Sequence, residues 1–263
     1  MKETKIAVAF LDLLGFSQLL KMSTEVADDT LDWVRREVWT RYIDQNAHPI
    51  KEYEDKFPDD KKLLNFVVNS EVSSFKYLVN FSDSLILGAE NVSLFVNQLS
   101  NLVFTLCSES FKPFAAPFDD LYNVYSMKYF SVENNKTIRR HKAFPVLFRG
   151  GVSYGSEASF FNEFYIQNEK LYNIGYGVSG KTYLKAVKLE EYGKGARLFC
   201  DKSLVDSLED KSFIRIVNKN DKIYEIVWFG KMIKKTQYPY DIFSDPFDDL
   251  NQALTATINL VKY

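Results

Sequence analysis

Two aspartates stand where the surrounding sequence makes a carboxylate expensive. Asp12 follows the apolar run "KIAVAFL" (5–11), and Asp83 sits in "SDS" at the middle of "FKYLVNFSDSLILGA" (75–89). A carboxylate in such company is costly unless it meets a cation or a metal. Each has an ordinary explanation: Asp12 could cap the helix that follows it, and Asp83 could make a tight turn. Taken together they allow more, because a strand end and a hairpin tip can converge on one divalent-cation site. Their hard oxygens, with the backbone amides of "LLGF" behind Asp12, suit Mg²⁺ or Mn²⁺ carrying a polyphosphate. Arg149, inside the apolar "FPVLFRGGVSYG" (144–155), needs an anionic partner of its own.

A second pattern competes. "GYGVSGKT" (175–182) fits the phosphate loop G-x-x-x-x-G-K-S/T. Such a loop needs a buried strand before it, a helix N-terminus facing the phosphates and an acidic strand end later on. The preceding "NEKLYNI" is a poor buried strand, and "RLFCD" (197–201) is the sole acidic candidate. A glycine-rich turn feeding a helix is the better reading. Other chemistries fall away on counts. His48 and His141 are the only histidines, both in polar surroundings, and Cys107 and Cys200 lie far apart. Ser-His-Asp and Cys-His devices, Cys/His zinc sites and a disulfide framework are therefore not expected.

The whole chain sets the remaining bounds. Its 263 residues are 46% apolar and 16% aromatic, a folding composition. With 33 basic and 35 acidic residues the net charge is −2, so no nucleic-acid partner is expected. No apolar run reaches the roughly 18 residues that span a bilayer, so no membrane partner is expected either. The absence of a signal peptide and the cysteine usage predict a cytoplasmic protein.

The elements that must position these residues can be read from periodicity. Residues 5–11 predict a buried strand interrupted by Asp12, and "LLGFSQLL" begins a helical stretch to about residue 43. Residues 75–89 predict a hairpin with "SDS" at its tip. Val92, Phe95, Leu99, Leu102, Val103 and Leu106 recur at helical spacing over 91–107. A strand over 144–155, a polar connection, a helix over Lys181–Tyr192 and a strand at 196–200 follow, with Asp201 capping a short helix. "SFIRIV" and "KIYEIVWFG" predict a second hairpin, and 246–261 a terminal helix. Residues 44–64 and 112–143 read as insertions, the latter ending in the basic "KTIRRHK" (136–142). The expectation is a single α+β domain over 1–263.

Four segments in this order resemble the class III nucleotidyl cyclases. "FLDLLGFS" (10–17) is similar to their first metal motif, F-x-D-I/L-x-G-F-S/T. "NFSDSLIL" (80–87) is similar to the second, with Ser82 in place of glycine. "FRGGVSYG" (148–155) resembles the R-x-G strand, and "GKTYLKAVKLE" (180–190) takes the place of the later helix. The resemblance implies a sandwich with an antiparallel-rich central sheet and packed helices. It implies that Asp12 and Asp83 bind two divalent ions, Mn²⁺ or Mg²⁺, with the Leu13 carbonyl assisting. The amides around Leu14, Gly15 and Phe16 would hold phosphates, and Arg149 would face the triphosphate or base. A nucleoside triphosphate would yield a 3′,5′-cyclic nucleotide and pyrophosphate, in a head-to-tail homodimer with composite sites.

The base and transition-state positions depart from the purine pattern. Val79 and Lys181 stand where a lysine and an aspartate read the purine, and Leu184 and Lys188 where an asparagine and an arginine act on the transition state. These departures resemble the bacterial Pycsar pyrimidine cyclases, in which Tyr77 and Arg149 would read the base. That resemblance implies UTP cyclisation to cUMP, with CTP to cCMP as the alternative, and a separate cyclic-nucleotide-responsive effector in antiphage defence. A non-catalytic cyclase-like interaction module and a P-loop NTPase are the rival readings.

Overall fold

The computed structural model describes residues 4–39, 54–56, 58–61, 64, 72–111, 127–130, 138–141, 146–167 and 170–228. They divide into two compact units. One comprises Met1–Asp12, Thr40–Leu99 and Phe148–Val227, the other Leu13–Trp39, Ser100–Leu147 and Trp228–Tyr263.

The first unit is organised by a seven-stranded sheet in the order β10 (Ile214–Asn218), β11 (Ile223–Ile226), β9 (Leu198–Asp201), β6 (Phe148–Gly155), β1 (Ile6–Leu13), β3 (Ser84–Ala89) and β2 (Tyr77–Phe81). Its central strands read as near-continuous apolar runs, as strands covered on both faces must. In β1 (Ile6–Leu13), Ala7, Val8, Ala9 and Leu11 are wholly enclosed, and every residue of β3 (Ser84–Ala89) is buried. β1 and β3 pair antiparallel from Ala7↔Ala89 to Asp12↔Ser84. The sequence predicts an interruption at Asp12; instead Asp12 is paired within the ladder and the strand ends at Leu13. The edge strand β2 (Tyr77–Phe81) joins β3 through the two-residue turn Ser82–Asp83, which holds Ser82 at φ 53°. Toward the other edge, β6 (Phe148–Gly155) runs parallel to β9 (Leu198–Asp201). β9 then pairs antiparallel with β11 (Ile223–Ile226), and β11 with β10 (Ile214–Asn218). The α+β class with an antiparallel-rich sheet is as expected.

Helices close this sheet. The first turns of α3 (Val92–Phe111) place Phe95 edge-on against Phe75, with ring centroids 5.3 Å apart. Gln98 accepts from the Ser74 amide and hydroxyl at 2.8 and 2.7 Å, so that buried amide side chain is satisfied. On β6 lie α4 (Lys181–Glu190) and the short α5 (Lys202–Ser207). Asp201 caps α5 as expected, accepting from the Leu204 amide at 3.0 Å.

One expectation fails here. Residues 156–180 are not a connection but a long antiparallel hairpin, β7 (Ser159–Gln167) and β8 (Lys170–Ser179). "GYGVS" is therefore paired strand, with Gly175 opposite Glu163 and Ser179 opposite Ser159. Only Gly180, at φ 108°, makes the turn into α4. A phosphate loop needs successive amides pointing at one anion, and a laddered strand sends them alternately to opposite edges. The phosphate-loop reading is set aside, and the glycine-rich turn shrinks to one residue.

In the second unit, α1 (Phe16–Met22) and α2 (Thr24–Val38) replace the single helical stretch expected from the sequence. Ser23, in extended conformation, ends α1 and caps α2 by accepting from the Val26 amide at 3.3 Å. α2 buries Ala27, Thr30, Trp33, Val34 and Val38, a three-four spacing that makes one apolar face. Gly15 precedes α1 at φ 79°, a left-handed conformation that glycine adopts without steric cost. Ser110 accepts from the Val146 amide at 2.8 Å. β4 (Met127–Phe130) and β5 (Ile138–His141) form a hairpin inside the expected insertion, so part of the basic segment is strand rather than loop. Most of the 44–64 insertion and the expected terminal helix at 246–261 lie outside the described residues.

Candidate functional site

The site in the first unit grows from the pairing of β1 with β3. Because Asp12 and Ser84 are register partners, the Ser84 hydroxyl donates to Asp12 Oδ1 at 3.4 Å, and Asp83 is the next residue back in the turn. The ladder therefore brings the two predicted carboxylates into electrostatic contact. Asp12 does not cap α1; Gly15 is that helix's N-cap residue and no side chain caps it. From the neighbouring strand β6, Arg149 reaches the other oxygen, with Nη2 at 3.4 Å from Asp12 Oδ2. The Arg149 Nε makes an ion pair with Oε1 of Glu190, the last residue of α4. Arg149, Asp12 and Glu190 keep 31%, 25% and 10% of their side-chain surface exposed, so the cluster is half-buried and approachable.

Its electrostatics are unbalanced. Asp12 and Glu190 share one guanidinium, and the charge of Asp83 bears on Asp12 as well. Burial raises the Asp12 pKa above the ordinary carboxylate value, and the charge of Asp83 raises it further, against the pull of Arg149 and Ser84. Glu190 is raised too, first by burial and then by Asp12 and Glu191, with Arg149 opposing. A divalent cation would relieve that excess negative charge, and the donor set is hard oxygen, as Mg²⁺ and Mn²⁺ prefer. Among the described residues no three His, Cys, Asp or Glu side chains converge as a metal cluster. Two aspartates would thus leave the remaining positions to water, a backbone carbonyl or a substrate oxygen, the usual situation for Mg²⁺. The residues present fit such an ion.

Other predicted residues have settled places. The Tyr77 ring stacks on Phe160 at 4.5 Å and 6°, part of a cluster with Val8, Val79 and Ala186. Val79 is buried in that cluster, whereas Leu184 and Lys188 lie on the exposed face of α4. Lys181 is held by Glu157, at 3.0 and 2.9 Å from its two oxygens. In the second unit, the Leu14 amide donates to the Leu147 carbonyl at 2.9 Å, so that amide is already used. Gly15 turns the chain into α1, where Phe16 is the first residue.

Glu190 was not singled out from the sequence. The signal was present: an arginine in an apolar strand requires anions, and the structure supplies two protein carboxylates for it.

No family model matches the chain, and no curated protein matches it. Among the described residues no helix is long and apolar enough to cross a membrane. Solved structures do show a likeness. The guanylate cyclase domain of RhGC from Catenaria anguillulae, in complex with GTP, is 10% identical over 85% of this chain and 96% of that one, at a TM-score of 0.46. An adenylate cyclase from Trypanosoma brucei in its monomeric state is 10% identical over 86% and 90%, at 0.44. The adenylyl cyclase CyaB from P. aeruginosa is 12% identical over 85% and 93%, also at 0.44. Each of these three proteins is a guanylate or adenylate cyclase.

Proposed function

We propose that the chain is a metal-dependent nucleotidyl cyclase, a single catalytic domain that converts UTP to 3′,5′-cyclic UMP and pyrophosphate. The observation that carries this reading is the ladder-fixed placement of Asp12 beside the Asp83 turn, where negative charge is in excess. Asp12 and Asp83 would hold two divalent ions, with the Leu13 carbonyl next along the chain as a further ligand. Such ions, when bound, neutralise triphosphate charge and acidify the ribose 3′-hydroxyl. Ser84 orients the Asp12 carboxylate for this task, and Arg149 offsets part of its charge. The Gly15 and Phe16 amides would receive phosphate oxygens; Leu14 could join only by leaving Leu147.

Tyr77 and Arg149 are the proposed base readers. A tyrosine and an arginine serve the acceptor-rich uracil edge, whereas cytosine adds an N4 donor that favours a carboxylate; CTP is therefore the alternative. The protein would act in the cytoplasm as a homodimer with composite sites, its product read by a separate effector in antiphage defence. Leu184 and Lys188, at the transition-state positions, favour a second reading as a non-catalytic cyclase-like module.

The test incubates the purified chain with all four nucleoside triphosphates and Mn²⁺, with products resolved by mass. A cyclic pyrimidine monophosphate that disappears in Asp12→Ala and Asp83→Ala, yet persists in Lys181→Ala, is the expected result. A cyclic purine would discard the Tyr77 argument and keep the cyclase. Activity surviving both aspartate changes would sink the site assignment.

A further inference from the structure

Glu190 occupies a position that stability alone does not favour. It is buried, and as the last residue of α4 it sits at the negative end of the helix, where cations are preferred. Its compensation is Arg149, whose guanidinium is divided between two carboxylates. Charge-assisted N–H···O contacts ordinarily lie at about 2.7–2.9 Å. The contact of Arg149 with Asp12 is 3.4 Å, longer than that range, and Arg149 also makes an ion pair with Glu190. Arg149 is thus engaged by Glu190 and holds Asp12 only loosely.

We infer that Glu190 is a positioning residue for metal binding: it draws Arg149 aside, so that the Asp12 carboxylate stays available to a divalent cation. The inference rests on the metal site proposed above. Without Glu190 the guanidinium has one carboxylate left on which to close, and it then competes with the incoming ion. Arg149 and Glu190 act as a pair whose net charge is zero, so the effect comes from where the guanidinium rests.

Mn²⁺ alone, titrated calorimetrically into the full chain without nucleotide, tests this. Glu190→Gln should weaken Mn²⁺ binding roughly two- to fivefold, the range expected when a partly exposed cation settles on a ligand carboxylate. Arg149→Gln should tighten it by a similar factor, and the double variant should return close to wild type. Glu190→Asp keeps the charge but loses a methylene of reach; it should fall toward Glu190→Gln. Wild-type affinity in Glu190→Asp would overturn the inference, because a remote charge effect would not need the reach. So would unchanged or tighter binding in Glu190→Gln. Should Glu190→Gln not fold, Arg149→Gln and Glu190→Asp decide the matter. Asp12→Asn separates the two readings. If it abolishes Mn²⁺ binding while the Glu190 variants do nothing, the metal site stands and this inference fails. If it leaves Mn²⁺ binding intact, the metal site itself is wrong.

Discussion

Replacing Gly151 by alanine would put a methyl group where β6 meets α4. The added Cβ would lie 2.0 Å from the Ala186 carbonyl oxygen and 2.6 Å from Leu189 Cβ. Carbon and oxygen atoms pack at about 3.5 Å, so the helix must retreat by roughly 1–1.5 Å. The obstructing atom is helix backbone and has no rotamer to change. Overpacking of this kind costs about 1–3 kcal/mol, and the rigid obstacle places Gly151→Ala near the upper end. Retreat also lifts Leu189 from its cluster with Phe199 and Ile223. In a chain of this size each kcal/mol moves the midpoint by about 2–4 °C, so a loss of roughly 6–12 °C is expected. Gly155 supplies the control on the same strand. Its added Cβ would meet Thr182 Oγ1 at 2.7 Å, a side-chain atom, with the remaining Thr182 contacts at 3.8 Å. Gly155→Ala should cost less than about 1 kcal/mol, because one hydroxyl can turn aside. Urea and thermal unfolding of the two variants decide the matter. If Gly151→Ala unfolds within about 0.5 kcal/mol of wild type, or no earlier than Gly155→Ala, the close seating of α4 on β6 is refuted.

Three further outcomes follow from hydrogen bonds and charge. Asp201 accepts from the Leu204 amide at 3.0 Å and from the Ser153 and Ser203 hydroxyls at 2.6 Å each. Asp201→Ala should therefore cost about 1–2 kcal/mol in urea unfolding, and indifference would contradict the cap. The pH dependence has two limbs of opposite sign. Burial pushes Glu225 up, but hydrogen bonds from Arg197 and Arg215 outweigh it and hold its pKa below the ordinary 4.5. Its stabilisation is present above that value and is lost as pH falls through the depressed folded pKa, so Glu225→Gln should flatten the acid limb. Asp12 is raised above 3.8, so its contribution is full below that value and fades as pH rises through the folded pKa. Asp12→Asn should accordingly gain stability relative to wild type as pH rises from the ordinary carboxylate value through the raised folded pKa, and a constant difference would refute that assignment.

Much of the frame was legible because its strands are apolar in the way buried strands must be. β3, the "SDS" turn and the cap at Asp201 could be read from the sequence, as could the helix from Val92, and β1 in all but its last two residues. The hairpin of β7 and β8 escaped. "SFFNEFYIQ" and "KLYNIGYGVS" mix aromatic and amide side chains without a clean two-residue alternation. Tertiary pairing made strands of them where local pattern was silent. The aspartates were legible for the same reason that apolar strands were: they broke a pattern. Glu190 was not, because an acidic residue near a helix end looks like surface until the fold shows Arg149 beneath it.

The turn between β2 and β3 sets a limit on how this chain can vary. Its two residues, Ser82 and Asp83, are bounded by the Phe81↔Ser84 pair on one side, and the Asp12↔Ser84 pair lies on the other. One residue gained or lost in β3 would exchange the two faces of that strand and carry the turn about 3.3 Å along its axis. Every buried side chain of β3 would then face the wrong way, and Asp83 would pass out of step with Asp12. Change at this place must come by exchange of residues at constant length. A library for altering metal or base preference should vary identities along β1, β2 and β6 and leave the spacing between Asp12 and Asp83 untouched.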